Sequence, residues 1–168
     1  MSVAAKPVGG VTAASAVVFL IAAATITAAL AFEHFGGYAP CPLCLQQRYA
    51  YYLAVPASAV AFSLGRGYAT KIARILLLLI AVAFVANAIA GIYHSGIEWK
   101  WWEGPSTCAG GTPIEWGENG LAEQLEEAQV IRCDEAPWRF LGLSFAGWSA
   151  VISAMLAGIA VWGAAQKR

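Results

Sequence analysis

Four stretches of the chain carry no Asp, Glu, Lys or Arg: residues 11–32, 49–65, 75–97 and 140–166. A helix needs about 20 apolar residues to cross a bilayer, so the first, third and fourth are long enough. The second is short by itself, but uncharged residues 41–47 extend it backwards across Arg48, which can sit near the interface. Pro56 lies inside it, and a kinked membrane helix is tolerated where neighbours satisfy the freed backbone groups. The pattern predicts an all-α membrane protein, a four-transmembrane-helix bundle forming one domain over residues 1–168. Its spans fall at about residues 11–32, 43–65, 72–94 and 142–163, leaving a short first outward loop (33–42) and a long second one (95–141).

Composition agrees with this class. Of 168 residues, 60% are hydrophobic and 12% charged, against about 25% charged in a soluble domain. An apolar segment of 22 residues at 11–32 exceeds the roughly 7–15 of a signal-peptide core, so the first span is expected to be retained. Charge then orients the bundle. Lys6, Arg66, Lys71, Arg74, Lys167 and Arg168 precede span one, join spans two and three, or follow span four, and no acidic residue shares those segments. All ten acidic residues lie on the other side, Glu33 in the first loop and the rest from Glu98 to Glu135. Positive segments stay in the cytoplasm, which places both termini there. The net charge of zero offers no basic patch for nucleic acid.

All four cysteines, Cys41, Cys44, Cys108 and Cys133, fall on the outward side. Oxidising compartments let disulfides persist. Pairing Cys41 with Cys44 and Cys108 with Cys133 is simplest, although four cysteines allow three connectivities. A helix beginning near Cys41 puts Pro42 in its first turn, where the missing N–H costs nothing. The free N–H groups and dipole of that helix end stabilise a thiolate. Arg48 lies four residues after Cys44, on the same helix face, where its guanidinium favours a Cys44 thiolate and can hydrogen-bond a cofactor carbonyl. A purely structural bridge gains little from closing so short a loop. An all-cysteine zinc site usually shows two close pairs, whereas 24 residues separate Cys108 from Cys133; no metal is expected. His34 and His94 read as interfacial histidines, His94 with the further possibility of helping a cofactor gain protons.

The second outward loop brackets its cysteines with interface aromatics: Trp99, Trp101 and Trp102 after span three, Trp138 before span four. Gly110, Gly111 and Pro113, then Gly117 and Gly120, predict turns. Leu121, Leu125 and Ala128, with Glu123, Glu126 and Glu127 between them, predict a short amphipathic helix.

Cys41-Pro42-Leu43-Cys44-Leu45-Gln46-Gln47-Arg48 resembles the CxxC-x-x-x-Arg signature of the bacterial disulfide bond formation protein B (DsbB) family. Four spans and the pair Cys108 and Cys133 in the long loop extend that resemblance over the whole chain. It implies a multi-pass protein of the bacterial inner membrane with periplasmic cysteine loops. It implies a quinone cofactor, ubiquinone or menaquinone, and a DsbA-like thioredoxin-fold partner. It further implies that the partner attacks a Cys108–Cys133 disulfide at Cys108, that Cys133 then engages Cys41, and that Cys44 is released beside the quinone. Vitamin K epoxide reductase-like proteins also join four helices, quinone and two cysteine pairs, but there the CxxC follows the loop pair, and here it precedes it. A DsbI-like oxidase serving one dedicated partner, and a non-enzymatic scaffold with static disulfides, are the alternative readings.

Overall fold

The structure, a computed structural model, describes residues 9–67, 70–105 and 132–166. Cys108, the glycine turns after it and the expected amphipathic helix at 121–128 lie outside the described residues. Four long helices form among the described residues: α1 (Gly10–His34), α2 (Pro42–Arg66), α3 (Thr70–Glu98) and α4 (Phe145–Ala165). Their apolar residues are spread around the full circumference, as expected of helices whose surroundings are lipid on one side and protein on the other. Of these, α1, α3 and α4 are long and apolar enough to cross a membrane. Helix α2 is as long as α1 but opens with Gln46, Gln47 and Arg48, which lower its apolarity. It continues through Pro56 without a break.

Each helix packs on the next and α4 closes the ring onto α1, while α1 and α3 face each other across the centre. The chain alternates direction, so the ends of α1 and α3 meet the starts of α2 and α4 at one end of the bundle. The core between them holds Val18, Leu77, Ile80, Phe84 and Leu156. Large apolar side chains such as Leu20, Val82, Ile89 and Trp162 point outward, where acyl chains solvate them without penalty.

Helix contacts are built on small residues, which let membrane helices approach closely. The inward face of α4 runs Ala146, Ala150, Ser153, Ala157, Ala160, a spacing of three and four residues. A Cβ on Gly91 would meet Ala150 Cβ at 2.9 Å and the Ala146 carbonyl oxygen at 3.0 Å. One on Gly163 would lie 2.2 Å from Ala14 Cβ, whereas Gly158 has nothing within 4 Å. Gly163→Ala is therefore expected to destabilise the bundle by about 1–3 kcal/mol through overpacking. Gly158→Ala should be neutral or stabilising by up to about 1 kcal/mol through helix propensity. Thermal unfolding of both variants in detergent checks the contrast; equal midpoints would reject the α1–α4 contact.

Polar side chains tie the helices midway. Tyr51 Oη on α2 lies 3.2 Å from Ser153 Oγ on α4, and Asn87 Nδ2 on α3 donates to the same oxygen at 2.9 Å. All three residues are buried, so these hydrogen bonds satisfy groups that lipid could not.

The fourth apolar stretch becomes helical only at Phe145. Ahead of it a two-stranded hairpin pairs Arg139–Phe140 (β1) with Leu143–Ser144 (β2). Its turn has positive φ at both central residues, Leu141 (52°) and Gly142 (82°), the backbone that two-residue hairpins favour. Ser144 then caps α4, its Oγ accepting from the Gly147 N–H at 3.2 Å.

Candidate functional site

Helix α2 starts at Pro42, and Cys41 is its N-cap, with its sulfur accepting the Cys44 backbone N–H at 3.3 Å. Proline in the first turn and an acceptor side chain at the cap both suit a helix start. The cap sulfur also lies against the Cys44 sulfur, Sγ to Sγ 3.1 Å, and faces His94 Nε2 at 3.6 Å. Both thiols are free. Cys41 is thereby held well below the ordinary thiol pKa, chiefly by its side-chain hydrogen bond with Cys44 and then by the His94 ring, against the opposing effect of burial. Sequence reasoning expected the thiolate at Cys44. In this reduced pair the Cys44 backbone N–H at the helix end and the His94 ring converge instead on Cys41.

His94 lies on the inward face of α3, which runs Leu77, Ile80, Phe84, Asn87, Gly91, His94 and Glu98. It is not the interfacial histidine suggested by its place at the end of an apolar stretch: only 1% of it is exposed. Gln47 Nε2 meets its Nδ1 at 3.0 Å. Glu98, one turn further along α3 and also buried, brings Oε1 to 3.9 Å from Nε2. Its other oxygen, Oε2, has no protein hydrogen-bond partner.

Cys133 arrives from the long loop and is buried with Cys41 in one small cluster that Leu43 and Cys44 complete. It is disulfide-bonded. Close by, Asp134 accepts from Arg132 Nε at 2.9 Å and pairs with Lys100, so charges anchor the returning loop to the end of α3. The structure thus brings Cys41, Cys44, Cys133 and His94 to one end of the bundle. Cys108 lies outside the described residues. His34 sits apart, its Nδ1 at 2.9 Å from the Leu30 carbonyl oxygen of its own helix.

Arg48 reaches across to α1 and pairs with Glu33. It lines a cavity of about 810 Å³ together with Cys44, Gln47 and Ser149, between walls that include Phe32 and Ile152. Gln47 Oε1 and Ser149 Oγ are buried there without a hydrogen-bond partner. An apolar slot with a guanidinium, an unsatisfied hydroxyl and an unsatisfied amide oxygen fits a lipid-soluble ring bearing carbonyl or hydroxyl oxygens. These residues therefore fit the quinone that the resemblance implies. Arg48 and Ser149 offer donors, Gln47 an acceptor, and Cys44 a sulfur at the same cavity.

Glu33, Gln47, Glu98 and Ser149 were not singled out by sequence reasoning. Glu98 had a signal, its spacing of four from His94, and Glu33 another, as the sole acid in the first loop. Gln47 and Ser149 had none.

Comparison with known proteins gives a consistent result. The family profile described as disulfide bond formation protein DsbB matches residues 12–163. A disulfide bond formation protein B of Marinobacter nauticus is 32% identical over 148 residues, 83% of each chain. Its counterpart in an Azoarcus species is 31% identical over 150 residues, covering 86% of this chain and 87% of the relative. That of Aromatoleum aromaticum is 30% identical over 157 residues, covering 89% and 90%. No solved structure matches significantly.

Proposed function

Since the chain belongs to the disulfide bond formation protein B family, we propose that it re-oxidises a DsbA-like periplasmic dithiol protein and delivers the electrons to membrane quinone. The observation that carries this reading is the burial of Cys133 against Cys41, which sets a cysteine of the long loop beside the Cys41–Cys44 pair. The partner's thiolate attacks Cys108 of a Cys108–Cys133 disulfide and Cys133 leaves as a thiolate. Cys133 attacks Cys41 of a Cys41–Cys44 disulfide, forming a new S–S bond and releasing Cys44 as a thiolate. The partner's second thiol resolves the mixed disulfide, leaving one electron pair and two protons to be removed from this chain.

Quinone, when bound, supplies the two-electron acceptor. The protein's residues do the rest. Cys44 lies at the cavity and is the sulfur from which the electron pair departs. While Cys41 is tied to Cys133 in a disulfide it carries no charge, and the thiolate resides on Cys44. His94, between Cys41 and Glu98, is placed to carry protons away from the cap sulfur. Arg48, oriented by Glu33, holds positive charge at the cavity. The charge asymmetry of the sequence supports the orientation, with cytoplasmic termini and the cysteine end in the periplasm of the bacterial inner membrane.

Alkylation trapping of the four cysteines after addition of reduced partner, with and without quinone, tests this reading. Cycling of both pairs in quinone is expected; four unreactive cysteines would establish a static scaffold instead. Arg48→Ala should raise the KM for quinone by about ten- to a hundredfold, the loss of a charged hydrogen bond of about 1.5–3 kcal/mol. Unchanged quinone kinetics would remove Arg48 from the site.

A further inference from the structure

We propose that the reduced Cys41–Cys44 pair, together with His94, forms a site for a thiophilic divalent cation such as zinc, and that occupancy of this site blocks re-oxidation. The donor atoms of these three residues all lie within 4.8 Å of one another, and no other described His, Cys, Asp or Glu residues form such a group. This set is distinct from an all-cysteine site, since it draws on neither loop cysteine.

The geometry suits a tetrahedral ion. Zinc bonds sulfur at about 2.3 Å and imidazole nitrogen at about 2.0–2.1 Å, which puts the sulfurs about 3.8 Å apart and sulfur about 3.5 Å from nitrogen. Cys41 Sγ already lies 3.6 Å from His94 Nε2. The sulfurs, at 3.1 Å, need to part by about 0.7 Å, a small side-chain rotation at Cys44. Glu98 stands next to this group without belonging to it, with Oε1 3.9 Å from the same nitrogen and Oε2 unpartnered; a side-chain shift toward the sulfurs would make it the fourth ligand, and otherwise water fills that position.

The surrounding shell also fits. A metal-binding imidazole donates its other N–H to an acceptor that fixes its orientation. Gln47 holds Nδ1 at 3.0 Å and its own Oε1 is unpartnered. Turning the amide over offers that oxygen to Nδ1–H and leaves the Nε2 lone pair facing the sulfurs, at little steric cost because the amide's two ends are nearly the same size. Cys41, His94 and Glu98 are each buried at the wall of the cavity, so an ion here is held by the protein and reached through the cavity.

Binding releases the thiol proton of Cys44 and transfers no electrons. Oxidation moves two electrons from the sulfurs to quinone or another two-electron oxidant and joins them in a disulfide. That step removes both thiolate ligands and expels the ion. Metal binding and re-oxidation therefore exclude each other, and this inhibitory consequence rests on the proposed function, whereas the binding itself does not.

The full chain carrying Cys108→Ser and Cys133→Ser, purified in detergent, reduced and freed of reductant, isolates the pair. Titration with cobalt(II) should give an intense thiolate-to-metal absorption saturating at one equivalent and displaced by zinc. The same protein oxidised to the Cys41–Cys44 disulfide should lose it entirely, a control that alters no residue. His94→Gln should weaken binding at least tenfold, and Cys41→Ser should abolish the band. Absence of the band in reduced protein, its survival after oxidation, or unchanged affinity in His94→Gln overturns the site. With the wild-type chain, zinc should inhibit quinone-dependent turnover and a chelator should restore it; turnover indifferent to zinc overturns the block even where cobalt binds. A chain with no turnover in any condition counts against the proposed function, while the cobalt spectrum still decides the site.

Discussion

Serine at Cys44 is expected to abolish quinone-dependent oxidation of the partner while leaving the bundle folded. Cys44 holds the only sulfur within reach of Cys41 in its own helix turn, and a hydroxyl cannot form or break an S–S bond. Without that bond Cys133 has no disulfide to attack, so electrons entering from the partner stop in the loop. The loss should be at least about a thousandfold, the order seen when a covalent nucleophile is removed. Folding should survive because serine is slightly smaller, keeps a hydrogen-bonding group beside Cys41, and leaves the helix-capping backbone bond in place. Stopped-flow oxidation of reduced partner, with circular dichroism of the same sample, checks both halves. Normal turnover in this variant would sink the relay.

The second large effect concerns pH. A lowered Cys41 pKa means that reduced Cys41 stays ionised through neutrality and protonates only as pH falls toward its own, depressed value. Thiolate is the reactive form. Its alkylation rate should therefore change by less than about threefold between about pH 6 and 8, where an ordinary thiol of pKa about 8.5 speeds up by close to a hundredfold. Burial slows the absolute rate equally at each pH, so the ratio reports ionisation alone. His94→Asn removes the ring at 3.6 Å and should steepen the profile. Mass spectrometry of Cys41 after timed alkylation gives the rates; a wild-type profile as steep as that of a free thiol would refute the assignment of the thiolate.

Linkage carries the same sign into stability. A group whose pKa is depressed on folding stabilises the folded protein above its unfolded value and loses that contribution as pH falls through the folded one. The reduced protein should accordingly lose stability on acidification relative to the disulfide form, in which Cys41 does not titrate.

Much of this architecture was legible in the pattern of charges, because lipid punishes any charge within a span. The charge-free stretches at 11–32 and 75–97 fall within α1 and α3. Helix α2 read weakly for a physical reason now visible: Gln47 and Arg48 turn inward to His94 and Glu33, so functional polarity replaces apolar residues in the first turns. The hairpin at residues 139–144 was hidden because its turn places leucine at positive φ, a conformation seldom adopted by that residue type. Cys41, Cys44 and Arg48 declared themselves by spacing. His94 was named, yet its burial went unseen, although its place on the inward stripe of α3 was written in the periodicity. The Arg48–Glu33 pair joins two helices, and no spacing along one helix encodes it.

The hydrogen bonds around Ser153 have a consequence for distance. Helices coated in leucine and alanine slide and turn against one another in lipid with little cost, since one apolar contact replaces another. Tyr51 and Asn87 remove that freedom, because both must meet the same oxygen. Cys44 lies seven residues before Tyr51 and His94 seven after Asn87, two turns or about 10.5 Å along each helix. The bonds to Ser153 thus act as an alignment peg: they set the rotation and register of α2 against α3, and with them the reach from histidine to sulfur two turns away.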